Sequence, residues 1–239
     1  MERDYTQFGS GSASNAIAQG IDAGLRGFMI RVYNYMMGAL ALTGIIAYYV
    51  GNNQLMVENM AASGFMWVIL LAPIGLVLFL SFRLHAISLA TAQFVFWLFA
   101  GLIGLSLAPI FQVFTQESIA RTFFITAGTF GGMSLLGYTT KRDLTSMGSF
   151  LIMGVWGLIL ASLVNIFVGS TALGFAISVL GVLIFTGLTA YDTQKIKESY
   201  FADDSADFSG KKAIIGALNL YMDFINIFIQ LLRLMGDRR

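Results

Sequence analysis

The chain has 239 residues, of which 57% are hydrophobic and only 11% are charged, and its net charge is +1. Soluble domains carry about 25% charged residues, so this composition indicates a protein whose solvent is lipid and gives no indication of nucleic acid binding. The absence of cysteine and the single histidine exclude disulfides, thiolate metal sites and a metal site built from several histidines of one chain.

The N-terminal segment, "MERDYTQFGSGSASNAIAQG", is polar and rich in small residues. It lacks the apolar core of a secretory signal and the arginine-rich, acid-free pattern of a transit peptide. We therefore predict a short disordered cytoplasmic tail over residues 1–25, followed by one transmembrane domain over residues 26–239.

Seven stretches of the chain are apolar over roughly the 20 residues that a helix needs to cross a bilayer. The linkers between them are short, which leaves no room for a soluble domain. The predicted fold class is therefore all-α, a polytopic membrane protein with a seven-transmembrane-helix bundle. The predicted spans are Phe28–Val50, Ala61–Phe82, Ala86–Phe111, Thr122–Thr139, Met147–Val168, Thr171–Tyr191 and Ala213–Leu232.

Lysine and arginine residues predict the orientation of the bundle. With the N-terminus inside, ten of these residues lie on inner segments and four on outer segments, which agrees with the positive-inside rule. Three of the four exceptions, Arg233, Arg238 and Arg239, lie at the C-terminus. A last apolar segment that re-enters without crossing therefore stays open as an alternative to the seven full spans that we predict.

Two aspartates lie at the last two apolar stretches. Asp192 ends one stretch in "GLTAYDTQKIKESY", and Asp223 lies within the next, "AIIGALNLYMDFINIFIQLL". In an antiparallel hairpin that is symmetric about its polar turn, both aspartates lie at the same depth, and we expect their carboxyl groups to meet. Taken singly, Asp223 would be explained by a hydrogen bond between helices, and Asp192 by an interfacial ion pair with Lys195.

Polar residues recur on one face of the last span. At about 100° per residue they fall within a stripe about 80° wide. A charged group at the centre of a membrane helix costs at least ~2.5–3.5 kcal/mol on insertion scales, so we expect this stripe to face the bundle interior or a wet cavity. The stripe consists of Asn219, Asp223, Asn226, Gln230 and Arg233.

A pair of carboxyl groups in a poorly solvated site has a specific chemistry. The two groups do not both ionise easily when they lie within a few ångströms, so the pair titrates as a unit and senses pH. Oxygen atoms of Asn219, Asn226 or Thr189 would complete a weak site for calcium, which takes about six to eight oxygen ligands. Protons and calcium would then compete for Asp192 and Asp223. We predict no tightly bound cofactor.

Four motifs together resemble the Bax inhibitor 1 family, also called the transmembrane Bax inhibitor motif or Lifeguard family. They are "SLLGYTTKRDL" at 134–144, "GSFLIMG" at 148–154, "YDTQ" at 191–194 and "LYMDFINIFIQLLR" at 220–233. The similarity runs from about Arg26 to the C-terminus, and the short tail and loops resemble the bacterial branch. It implies an integral protein of the bacterial cytoplasmic (inner) membrane.

The resemblance also implies a function. Members of this family are pH-sensitive calcium leaks with seven helices, in which an aspartate pair between the last two helices is the pH sensor. The matching residues are Asp192 and Asp223. An arginine at the end of the second helix is implied as a latch on the first aspartate, and Arg83 in "LSFRLH" matches by its placement. Taken alone, Arg83 is explained as a positive anchor at the membrane interface.

The leading hypothesis is therefore a passive calcium leak, gated by protonation of the pair and working with the lipid bilayer, calcium ions and protons. A regulator that binds a membrane quality-control protease, or another membrane-protein partner, is the alternative. An intramembrane aspartyl protease is disfavoured, because such enzymes need G-x-G-D where this chain has "LYMD" before and at Asp223. We predict that the protein is not an enzyme.

Overall fold

The computed structural model describes the backbone of residues 10–239 and the side chains of residues 23–239. Within that part the chain is helical and forms no strand; one isolated β-bridge joins Phe114 to Arg238. In chain order the described helices are α1 (Ser10–Gly51), α2 (Gln54–Ala62), α3 (Phe65–Arg83), α4 (Leu89–Leu107), α5 (Ile110–Val113), α6 (Gln116–Thr139), α7 (Thr145–Val168), α8 (Thr171–Glu198) and α9 (Ala206–Met235).

Seven of these helical stretches are long and apolar enough to cross a bilayer, which confirms the predicted seven-helix fold. The short α5 continues the stretch of α4, and α2 lies between the first two spans. Helix α1 begins at Ser10, well before the predicted domain boundary at residue 26. Residues 1–9 of the predicted tail lie outside the described residues.

The last two spans also differ from their predicted bounds. Helix α8 continues to Glu198, and α9 already begins at Ala206, so both helices extend past their apolar stretches. Lysines in the last turn of α8 suit the negative end of its dipole. At the start of α9, the side chain of Ser205 accepts a hydrogen bond from the Phe208 N–H at 3.2 Å. Local capping therefore adds helical turns that hydropathy does not predict.

The two ends of the bundle differ in charge. One end carries the turns at 140–144 and 199–205 and all five lysines of the chain. We call it the lysine-rich end. The opposite end carries the turns at 114–115 and 169–170 together with the C-terminus, and we call it the C-terminal end.

Helix α9 lies at the centre of the bundle and packs on α1, α4, α6 and α8. The Tyr221 side chain is 1% exposed, and its hydroxyl forms a 2.7 Å hydrogen bond with the Thr43 hydroxyl of α1. Thr43 in turn donates to the carbonyl of Ala100 on α4 at 2.8 Å. These bonds join three helices in the apolar core, where an unpaired hydroxyl would be costly.

The last apolar segment runs the whole length of the bundle. Near its start, Gly210 packs against Leu89 at the beginning of α4. Beyond its end, the Asp237 carbonyl accepts a 3.0 Å hydrogen bond from the Thr115 N–H, in the turn that follows α5. Since α4 and α5 together pass from the lysine-rich end to the C-terminal end, α9 does the same and does not fold back.

Candidate functional site

The contacts between α8 and α9 fix the relative depth of the two aspartates. The Lys212 amine donates to the Ser199 carbonyl at 2.9 Å, Gly216 packs on Ile196, and Gln230 packs on Gly181. In this register Asp223 lies opposite Thr189, and Asp192 lies opposite Asn219. The two aspartates are therefore offset by about one helical turn, roughly 5 Å along the axis. The expected equal depth is wrong by this amount, because these contacts pair residues whose midpoint lies near 206 rather than at 207.5.

Asp223 is the buried member of the pair. Its side chain is 4% exposed, and its Oδ2 atom is buried without a hydrogen-bond partner among the described residues. A structural hydrogen bond through this oxygen to another side chain therefore does not explain the buried position of Asp223. In the register of α8 and α9, its carboxyl group lies about one helical turn along the axis from the level of Asp192.

Asp192 is half-buried and lies nearer the lysine-rich end. The positive charge that acts on it is that of Lys195, one turn further along α8. The two residues do not form one of the ion pairs found in the described part of the chain; the Lys195 amine instead lies 5.6 Å from the ring centroid of Tyr191. The carboxyl group of Asp192 is therefore not neutralised by a direct ion pair with this lysine.

Thr189 is buried, but its hydroxyl is used within its own helix. Its Oγ1 atom donates to the Phe185 carbonyl at 2.9 Å, and its own carbonyl accepts from Thr193 at 2.7 Å. Thr193 also contacts the Ser134 hydroxyl of α6 at 3.1 Å, and Ser134 bonds to the Tyr33 hydroxyl of α1 at 2.5 Å. This row of hydroxyl groups joins α1, α6 and α8 beside Asp192, and sequence reasoning did not predict it.

The predicted polar stripe is divided between two sides of α9. Asp223 and Gln230 face α8, and the Gln230 Oε1 atom is a second buried oxygen without a partner in the described part. Asn219 lines a crevice of about 140 Å³ with Lys195 and Lys212 at the lysine-rich end. Asn226 faces a cleft beside α3 and donates to the Met222 carbonyl at 2.9 Å.

Arg83 ends α3, and its side chain is exposed. It forms none of the three ion pairs found among the described side chains, so this arrangement does not bring it onto Asp192. Its neighbour Leu84 lines the same crevice as Asn219 and Lys195, which places the end of α3 beside the end of α8. The predicted latch therefore stays a prediction.

Further buried polar groups lie between the level of the aspartates and the C-terminal end. The hydroxyl oxygens of Thr186 on α8 and Thr122 on α6 are also buried without partners in the described structure. At the C-terminal end lies a polar vestibule of about 550 Å³. The side chains of Ser178, Arg233 and Arg238 line it. A search for apolar spans misses this row, because each threonine or serine is unremarkable in a membrane helix.

The site suits transient contact with a calcium ion better than retention of one. No group of three or more His, Cys, Asp or Glu side chains is close enough to hold a metal ion within the described residues. Two carboxyl groups supply only part of the six to eight or so oxygens that calcium takes. Main-chain, hydroxyl and amide oxygens or water would have to supply the rest, so binding at Asp192 and Asp223 would be weak.

Known proteins match this chain over most of its length. The profile of the family described as "Inhibitor of apoptosis-promoting Bax1" matches residues 25–239. An uncharacterized protein of Rickettsia prowazekii is 46% identical over 236 residues, covering 99% of each chain. The inner membrane protein YbhL of Escherichia coli is 46% identical over 220 residues, covering 91% of this chain and 94% of YbhL. A protein of Caulobacter vibrioides is 45% identical over 234 residues, covering 92% of each.

Proposed function

Since the chain belongs to the Bax inhibitor family, we propose that it is a passive, pH-sensitive calcium leak gated by Asp192 and Asp223. The observation that carries this proposal is the buried Oδ2 atom of Asp223, which has no hydrogen-bond partner in the described part of the chain and lies within about one helical turn of the level of Asp192. We propose no catalytic role for either carboxyl group. The proposed setting is the bacterial inner membrane, with the lysine-rich end in the cytoplasm.

The gating rests on how two neighbouring carboxyl groups share charge. When both are ionised they repel each other and attract a cation; when they share a proton, the repulsion and much of the attraction disappear. Protons and calcium therefore compete for the same oxygens. The charge of Lys195 on α8 acts on Asp192, and Lys212 of α9, which lines the same crevice as Lys195, is paired with Asp204 at 2.7 Å.

Movement of the end of α3 away from α8 is the proposed opening step, and the reverse movement is the proposed closing step. The principal neighbours of α3 are α4 and α2, and a cleft of about 340 Å³ separates it from α9 beside Asn226. A swing of the end of α3 towards α8 would bring Arg83 to Asp192 and close the crevice at Asn219. Protonation of the pair removes the negative charge that attracts Arg83, so the latched form is favoured only while that charge is present.

Calcium flux into liposomes tests the mechanism. We expect Asp192→Asn and Asp223→Asn each to abolish the dependence of flux on pH, because each removes one of the two titrating groups. Asp203→Asn is the matched control, since Asp203 is exposed in the turn at 199–205, and it should keep the wild-type dependence. Wild-type pH dependence in both Asn variants of the pair would reject the proposed gate.

The same preparation distinguishes the alternative function. A regulator would be supported instead if the purified chain gives no calcium flux at any pH and a membrane protease co-purifies with it from cells in fixed stoichiometry.

Arg83→Gln tests the latch separately. We expect this variant to raise the calcium leak at high pH and to leave the leak unchanged at low pH. A variant with wild-type flux at both pH values would remove Arg83 from the mechanism.

A further inference from the structure

Helices α1 and α6 both pack on α9 but make little contact with each other. Between them lies a groove of about 690 Å³, and its lining residues Ile30, Met37 and Leu135 are exposed. The side chain of Phe224, next to Asp223, forms part of its floor. In a bilayer this groove opens sideways towards lipid.

The walls of the groove suit a flexible hydrocarbon chain. Met29, Met36 and Met37 line it from α1, and methionine side chains adapt readily to an irregular partner. Two of its polar side chains, Tyr33 and Ser134, form a 2.5 Å hydrogen bond with each other. An apolar occupant therefore leaves these two hydroxyl groups paired, whereas water would find few free partners there.

The mouth of the groove at the lysine-rich end is positively charged. Arg26 lies on its rim. Tyr138 lies on the opposite rim, and its carbonyl accepts a 2.9 Å hydrogen bond from the Lys197 amine. Two cationic groups therefore lie where the headgroup of a lipid would be if its tail entered the groove.

The length of the groove matches one leaflet. Its lining residues on α1 run from Arg26 to Leu40, which is about 21 Å along a helix. The hydrocarbon half of a bilayer is about 15 Å thick, so the groove takes an acyl chain of one leaflet with room for the headgroup at Arg26.

We propose that this groove is a binding site for one anionic phospholipid of the leaflet at the lysine-rich end. One acyl chain lies between α1 and α6 against Phe224, and the phosphate group lies between Arg26 and Lys197. The site is independent of the proposed calcium leak. A bound chain fills the space between α1 and α6 and fixes the distance between them.

A pair of adjacent glycines on α6 provides the test. Gly131 lines the groove, and Gly132 does not. A Cβ atom added at either position meets nothing within 4 Å, so both positions have space for a larger side chain. Gly131→Phe places a ring in the groove, whereas Gly132→Phe places the same ring elsewhere on α6.

Native mass spectrometry of the full chain from nanodiscs of mixed phosphatidylglycerol and phosphatidylcholine measures the retained lipid. We expect the wild type and Gly132→Phe to retain one more phosphatidylglycerol per chain than Gly131→Phe. Equal retention by all three proteins would overturn the site. A dimer of the wild type that Gly131→Phe alone disrupts, without a difference in lipid, would assign the groove to a second copy and also overturn it.

The headgroup has its own test. A basic group near anionic lipid contributes about 1 kcal/mol, or roughly a fivefold preference. We expect Arg26→Gln to lower the ratio of retained phosphatidylglycerol to phosphatidylcholine about fivefold while the total stays the same. An unchanged ratio would reject the proposed phosphate position, and retention of phosphatidylcholine alone by the wild type would reject an anionic ligand.

Discussion

Gly137 on α6 lies directly against the backbone of α8. A Cβ atom there would overlap the carbonyl oxygen of Ala190 and come within 2.9 Å of the Ala190 Cα atom. Backbone cannot move aside as a side-chain tip can, so Gly137→Ala has to push the two helices apart. Ala190 lies two residues before Asp192, and the close crossing therefore holds the part of α8 that carries this aspartate.

The expected change in unfolding free energy is the difference between two opposing effects. Overpacking a close contact costs about 1–3 kcal/mol, while replacing glycine by alanine within a helix returns roughly 0.5–1 kcal/mol. We expect Gly137→Ala to lose about 1–2 kcal/mol of unfolding free energy. For a chain of this size that corresponds to a melting temperature lower by about 2–8 °C.

Thermal unfolding in detergent measures the effect, with Gly132→Ala as the matched control on the same helix. An added Cβ at Gly132 meets nothing within 4 Å, so this variant should melt at or slightly above the wild-type temperature. A Gly137→Ala protein that melts as high as Gly132→Ala would show that α6 and α8 do not need this close approach.

Two further predictions concern charges at the ends of the bundle. Arg233 is exposed and lines the vestibule. Its charge repels a divalent ion about 10 Å away in water by about 0.8 kcal/mol, so Arg233→Gln should raise calcium flux about fourfold at low ionic strength and less in physiological salt. Unchanged flux at low salt would show that the vestibule is not on the ion path. The hydroxyl and N–H of Thr145 hold the pKa of Asp143 below its usual 3.8. The stabilising effect of Asp143 is therefore fully present above about pH 4 and lost as pH falls through its lowered pKa; in melting curves, the difference between the wild type and Asp143→Ala should shrink only in that acid range, and a difference independent of pH would contradict this origin.

The sequence predicts the architecture well, because the hydrophobic length of each span is a local property. It also predicts that Asp192 and Asp223 lie on two helices that pack against each other, as α8 and α9 do. Their offset was not predictable, since it depends on the register in which α8 and α9 pack, and hydropathy does not encode that register. Asn226 faces the cleft beside α3 rather than α8, for a different reason. A stripe about 80° wide on a central helix meets more than one neighbour, so Asp223 faces α8 while Asn226 turns towards the cleft at α3.

The groove and the row of hydroxyl groups depend on how the helices are spaced in the bundle. The groove between α1 and α6 exists because both rest on α9 without closing on each other, and no local pattern in either helix encodes that spacing. The row of Tyr33, Ser134 and Thr193 is similar: each hydroxyl belongs to a different helix, so their meeting is a property of the assembled bundle.

The final residues of the chain are bound to the end of α5 and to α6. The Arg239 N–H donates to the Val113 carbonyl at 3.0 Å, and the Asp237 carboxylate pairs with Arg121 at 3.0 Å. Because the chain contains no cysteine, a single cysteine introduced at Arg239 would be the one thiol for labelling and would sit at a well-defined place. A maleimide that does not cross membranes would modify it from one face of the cell envelope only, which makes this terminus a topological marker for the whole bundle.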